Sequence, residues 1–154
     1  MFKYMGRIKF IELYKVLKDL KVNGLKANDR MTVMLDTRAL RPVAENYEAE
    51  SELARKQLEP EGYTELVRKT YAHNEAIAKG EKAVMSDAEI AELRRKDAEF
   101  NEALKDYFDK VNNEDSVIAL GQISEKSFLQ LIDINNSLTA GQMELLYDLI
   151  VKKE

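Results

Sequence analysis

Residues 86–111 read SDAEIAELRRKDAEFNEALKDYFDKV. The stretch opens with Ser86-x-x-Glu89, a capping box in which the Ser oxygen and the Glu carboxylate each satisfy an unpaired backbone N–H. Ile90, Leu93, Phe100, Leu104, Tyr107 and Val111 then recur at alternating steps of three and four, with charges between them. That spacing predicts a helix burying one stripe against another helix. Asp97 interrupts the stripe where Ile90, Leu104 and Val111 stand one heptad away. Either it sets register or oligomer state at some cost in stability, or it lies at the wet edge of a narrower stripe.

A stripe of this length needs a partner, and residues 28–58 offer one. Val33, Leu40, Tyr47 and Ala54 are spaced by seven, with Thr37, Ala44, Ser51 and Leu58 four residues after each. So many small side chains permit close approach of a second helix, with Asn28 as its expected N-cap and Asp29 favourable at its positive end. Pro42 lacks the N–H that would bond Arg38, so the reading is either a kink or two helices meeting near Arg41. Glu59-Pro60-Glu61-Gly62 is the clearest break in the chain. Beyond it Tyr63, Leu66, Val67, Tyr71 and Ile77 mark a shorter helix ending at Gly80. The expected fold is therefore mainly all-α, an antiparallel pair of long helices with shorter helices at both ends, in a single domain over 1–154.

Toward the N-terminus, Ile8, Ile11, Tyr14, Leu17 and Leu20 mark one face of an amphipathic helix from Ile8 to Val22, with Asn23-Gly24 as its cap or turn. Such a basic helix lies on an anionic membrane, in a partner's groove, or on its own domain with its lysines in water. Met5 precedes Gly6 and reads as a possible start, leaving the first four residues optional. Toward the C-terminus, Val117-Ile118-Ala119-Leu120 reads as a strand or a buried extended segment. Ser124 caps a short helix carrying Phe128, Leu131, Ile132 and Ile134, and Thr139-x-x-Gln142 is a second capping box. This apolar third is expected to close the core.

At 154 residues, 45% hydrophobic and 34% charged, the chain is large enough for a core yet heavily charged. Two Pro and six Gly leave few breaks, and the absence of Cys excludes disulfides, thiol nucleophiles and Cys-based metal sites. No apolar run reaches the length of a membrane span and no secretory signal opens the chain, so the expectation is a cytoplasmic protein. The net charge of −4 hides an asymmetry: residues 1–42 hold ten Lys/Arg against four acids. A basic end on an acidic body either meets nucleic acid or pairs with acidic surface within or between chains.

The only histidine, His73, has no second ligand at helical spacing, and no Glu-x-x-His accompanies the abundant glutamates. Phosphate-loop, dinucleotide and nucleophile-elbow patterns are absent from the sequence. The reading is a non-enzymatic protein with no cofactor or metal. Arg94-Arg95-Lys96 is the densest basic cluster, but Glu89, Glu92, Asp97 and Glu99 surround it at pairing distances on the same helix. The candidate interaction residues are Lys9, Lys15, Lys18 and Lys21 with Tyr14 on the basic N-terminal segment, and Asp97 in the seam. A protein partner or self-association is expected, with nucleic-acid association through residues 1–41 as the alternative.

The order of segments resembles a class of small phage-encoded helical proteins of unknown function. In these an amphipathic helix (here Ile8 to Val22) leads through a basic turn, Asn23-Gly24-Leu25-Lys26-Ala27, into a long charged helix. An acidic turn and apolar extended segment follow, matching residues 113–120. Two short helices then carry a pattern like Leu138-Thr139-Ala140-Gly141-Gln142-Met143. The resemblance covers most of the chain, transfers no catalytic residue, and implies an interaction, assembly or host-modulating role. Pro42 has no counterpart in the pattern.

Overall fold

The computed structural model describes residues 2–153. Its elements run β1 (Phe2–Gly6), α1 (Arg7–Leu17), α2 (Ala27–Leu58), α3 (Tyr63–Ala78), α4 (Asp87–Asn112), β2 (Asp115–Ala119), α5 (Glu125–Ile134) and α6 (Ala140–Ile150). The protein is thus mainly helical, with one two-stranded antiparallel sheet in which Met5 faces Ser116 and Lys3 faces Ile118. The apolar run 117–120 contributes to β2. Its partner strand is drawn from the N-terminal residues that the sequence leaves optional, a pairing no local pattern announces.

The chain forms two compact units, Met1–Ala49 with Val111–Glu154, and Glu50–Lys110. In the first, Phe10, Leu13, Leu40, Leu120, Ile123, Leu131, Leu146 and Ile150 are fully buried. Each such side chain contributes about 1.5–3 kcal/mol of burial free energy. The C-terminal third closes this core as expected: Ile123 forms a parallel bridge with Val151, through Ile123 N–H to Ile150 O at 2.7 Å and Lys152 N–H to Ile123 O at 2.8 Å. The second unit buries only Ser51, Ala54, Ala76 and Met85, the rest of its apolar residues being half-buried or exposed.

The α2 stripe is realised along its length: Val33, Leu40, Ala44, Ser51 and Ala54 are buried, and Thr37, Tyr47 and Leu58 half-buried. One helix runs through Pro42, without division into two. Pro42 and Arg38 both lie on the exposed side, so the carbonyl deprived of its donor meets water. Asn28 does not cap this helix, which starts one residue earlier; its carbonyl instead accepts from Thr32 Oγ1 at 3.0 Å. Arg55 lies over the Phe108 ring at 5.3 Å in the second unit, and Tyr47 Oη donates to Asn112 Oδ1 at 2.7 Å in the first.

Two boundaries differ from expectation for tertiary reasons. The N-terminal helix stops at Leu17 rather than Val22. Asn135 takes hold of the chain there: Lys21 N–H donates to its Oδ1 and its Nδ2 donates to Lys21 O, both at 2.8 Å. That clasp turns Leu20 and Val22 against the core, and Gly24 reverses the chain at φ 85°. In α3, Tyr71 and Ile77 do not face inward but stand 74% and 55% exposed. Met85 sets the rotation of this helix, its sulfur accepting from Thr70 Oγ1 at 3.5 Å and its N–H donating to His73 Nδ1 at 3.1 Å. The Gly80 cap is a Schellman motif, with Glu81 N–H on Ala76 O and Gly80 N–H on Ile77 O.

Candidate functional site

Both expected capping boxes form. Ser86 Oγ accepts from Glu89 N–H at 3.1 Å while Glu89 Oε1 accepts from Ser86 N–H at 3.3 Å, and Thr139 with Gln142 does the same at 3.2 and 3.0 Å. The first of these caps opens α4, which carries Asp97; the other candidate residues lie on α1 and the turn that follows it.

The candidates are divided between the two units, and those of the first unit do not share one site. Asp97 lies in the second unit, half-buried, and accepts a 2.5 Å hydrogen bond from Tyr63 Oη. That bond, together with burial and the carboxylate charge, pushes the Tyr63 hydroxyl up to about 12. The polar seam position is therefore answered within the chain, and the Tyr63 ring packs 5.3 Å from Phe100 beside it. Tyr14 is half-buried against the core of the first unit. Lys9, exposed and 3.7 Å from Glu12, joins Lys15 at a depression of about 460 Å³ that also holds Glu12 and Glu144, a mixed-charge surface. Lys21 is exposed, its backbone held by Asn135.

α1 itself is not an open amphipathic face. Phe10, Ile11, Leu13, Val16 and Leu17 are all buried, so its apolar side is consumed by the protein's own core.

Lys18 opens on a different feature, a groove of about 560 Å³ in the first unit between the 17–22 turn and α2. Leu17, Leu20, Val22 and Val33 form its apolar base, with Met34 at the edge. Lys18, Arg30, Arg38 and Arg41 stand around it, all exposed, and no acidic residue is among its lining. Among the described residues no carboxylate pairs with any of the four, whereas Arg95, Arg68, Lys69 and Lys79 in the second unit each have one. Met31, Met34 and Leu35 leave 52%, 52% and 50% of their surface in water beside these arginines. Sequence reasoning counted Arg30, Arg38 and Arg41 as bulk charge and missed the site. The available signal was Met31, Met34 and Leu35 on the side of α2 away from the Val33–Leu40 stripe, bracketed by cations one to three turns apart.

A second unforeseen feature is the acidic side of α2. Asp29 accepts from the hydroxyls of Ser124 and Ser127, and Asp36 Oδ1 accepts the Gly121 N–H at 2.7 Å. Asp36 is only 3% exposed and its Oδ2 has no protein partner. Burial pushes its carboxyl up to about 6 against the opposing effect of the Gly121 N–H. Asp36 is absent from the lining of both grooves described above. Together the two aspartates staple α2 to the β2–α5 connection and the first turn of α5, a structural role.

His73 accepts the Met85 N–H and so secures a turn. Among the described residues no three His, Cys, Asp or Glu side chains gather as a metal-binding group, and no helix is long and apolar enough to cross a membrane. No protein-family model, no curated protein and no solved structure matches this chain.

Proposed function

We propose that this chain is a non-enzymatic helical interaction or assembly protein that engages another protein through the basic-rimmed groove of its first unit. The observation that carries the reading is the coincidence of four unpaired cations with half-exposed Met34 over an apolar base, Met31 and Leu35 being half-exposed on the same helix outside the groove. Apolar anchors inside a polar rim are the ordinary anatomy of a protein interface. Methionine adapts its shape to irregular partners, which suits such a surface. The likeness to small phage helical proteins extends the reading to assembly or host modulation in the cytoplasm.

The test is capture from the native host by the full chain, followed by cross-linking and mass measurement of the assembly. A partner or a second copy cross-linked at residues 18–41 is expected. A protein that stays monomeric and captures nothing at physiological salt contradicts the proposal.

Nucleic-acid association through residues 1–41 is the second reading, favoured by the same four unpaired cations. Phosphate-driven binding weakens steeply between low and physiological salt, whereas an apolar helical interface does not. No retention of nucleic acid at low salt removes it.

A further inference from the structure

Resting on the interaction reading above, we propose that the groove's occupant is a short amphipathic helix of a partner protein, with acidic residues flanking its apolar anchors. The walls decide against an extended peptide. α2 satisfies its backbone internally apart from the Arg38 carbonyl that Pro42 leaves without a donor, and the facing turn has spent its own: Lys18, Asp19 and Leu20 N–H go to Tyr14, Val16 and Leu17 carbonyls, and Lys21 N–H and C=O both go to Asn135. A strand laid here finds few backbone partners, whereas a helix brings its hydrogen bonds with it. From Arg30 to Arg41 the α2 wall runs about 16 Å, three helical turns, which suits an occupant of about 12 residues.

Charge selects the occupant's chemistry. The four cations give an incoming carboxylate its first ion pair rather than a competing one, and Arg38 and Arg41 offer fork-shaped donors that match it. The apolar base of Leu17, Leu20, Val22 and Val33, with Met34 at its edge, demands apolar side chains at the same time. A phosphate backbone meets only the first condition, and a neutral apolar helix only the second.

The experiment is selection from a displayed library of about 12-residue helical peptides with randomised outward positions, using the full chain as bait at about 0.15 M salt. Winners should carry Leu, Ile, Met or Phe at i, i+3 or i+4, and i+7, flanked by Glu or Asp. Their affinity, read by fluorescence anisotropy, should fall at least about tenfold on Arg38→Glu/Arg41→Glu, two exposed positions whose exchange should leave the melting curve unchanged. Met34→Ala, which keeps the cations, should weaken the same peptides. Cationic winners, no winners, or winners indifferent to both variants overturn the inference. Tighter binding of a single-stranded oligonucleotide at the same surface overturns it in favour of nucleic acid. Self-association abolished by Met34→Ala overturns it in favour of a second copy. A host protein still captured by the Arg38→Glu/Arg41→Glu variant leaves the interaction reading standing and removes this groove from it.

Discussion

Asp36 is a buried carboxyl whose ionisation the fold disfavours. Its carboxyl is pushed from an ordinary 3.8 to about 6 by burial, with one oxygen on Gly121 N–H and the other unpartnered. Below pH about 4 it is protonated in both folded and unfolded chains. Between about 4 and 6 the unfolded chain ionises first, so the contribution of this group to stability falls across that window and is flat above it, a difference of about 3 kcal/mol. Asp36→Asn keeps an oxygen for Gly121 and cannot ionise. Relative to the wild type it should therefore be more stable at pH 8 than at pH 4, read by urea unfolding at both; a pH-independent difference would show that Asp36 is not buried as a charge. The neighbouring glycine is equally constrained, since a Cβ on Gly121 would stand 2.8 Å from Thr32 Cγ2. Gly121→Ala should cost about 1–3 kcal/mol by overpacking. Adding Thr32→Ser removes the colliding methyl while keeping the hydroxyl, and should recover most of that loss; an unrecovered double variant would place the strain in the backbone.

Among the elements, α3 and α4 show how a polar group holds two helices in one alignment. Asp97 fills an apolar stripe position because Tyr63 reaches it across the second unit, with Phe100 against the same ring. A double-mutant cycle of Tyr63→Phe and Asp97→Ala should give a coupling of about 1 kcal/mol, the net worth of such a hydrogen bond. Additive losses would mean that water holds both groups equally well. The α6 cap is a second local test: Thr139→Ala removes the oxygen on Gln142 N–H and should cost about 1 kcal/mol in thermal or urea unfolding, with Gln142→Ala giving a smaller loss. Both caps and both long stripes were legible from residue spacing, because capping and helical periodicity involve residues three to seven apart. The rotation of α3 was not legible. Tyr71 and Ile77 satisfy helical spacing as well as Thr70 and His73 do, and only Met85 decides between the faces.

Across the whole molecule, burial is unevenly divided. The first unit holds all the large fully buried side chains found among the described residues, while the second buries Ser51, Ala54, Ala76 and Met85. Local opening costs less where less apolar surface is covered. Amide exchange should accordingly be slower in α1 and α6 than in α3, and equal protection would contradict the unequal cores. The same contrast explains what sequence could and could not say about the interaction surface. Lys9, Lys15, Lys18 and Lys21 stood out as a basic helix, yet the helix ends before Lys18, its apolar face is internal, and only Lys18 reaches the groove. The sequence by itself determined the presence of the helices, the caps at Ser86, Ser124 and Thr139, the α2 and α4 stripes and the break at residues 59–62, because backbone hydrogen bonding and side-chain periodicity act between near neighbours. Tertiary structure alone decided the β1–β2 pairing, the burial of Asp36 against a residue 85 positions away, the Asn135 clasp 114 positions from Lys21, and the groove those contacts shape. Each depends on which distant segment excludes water from which face, a quantity that no window along the chain contains.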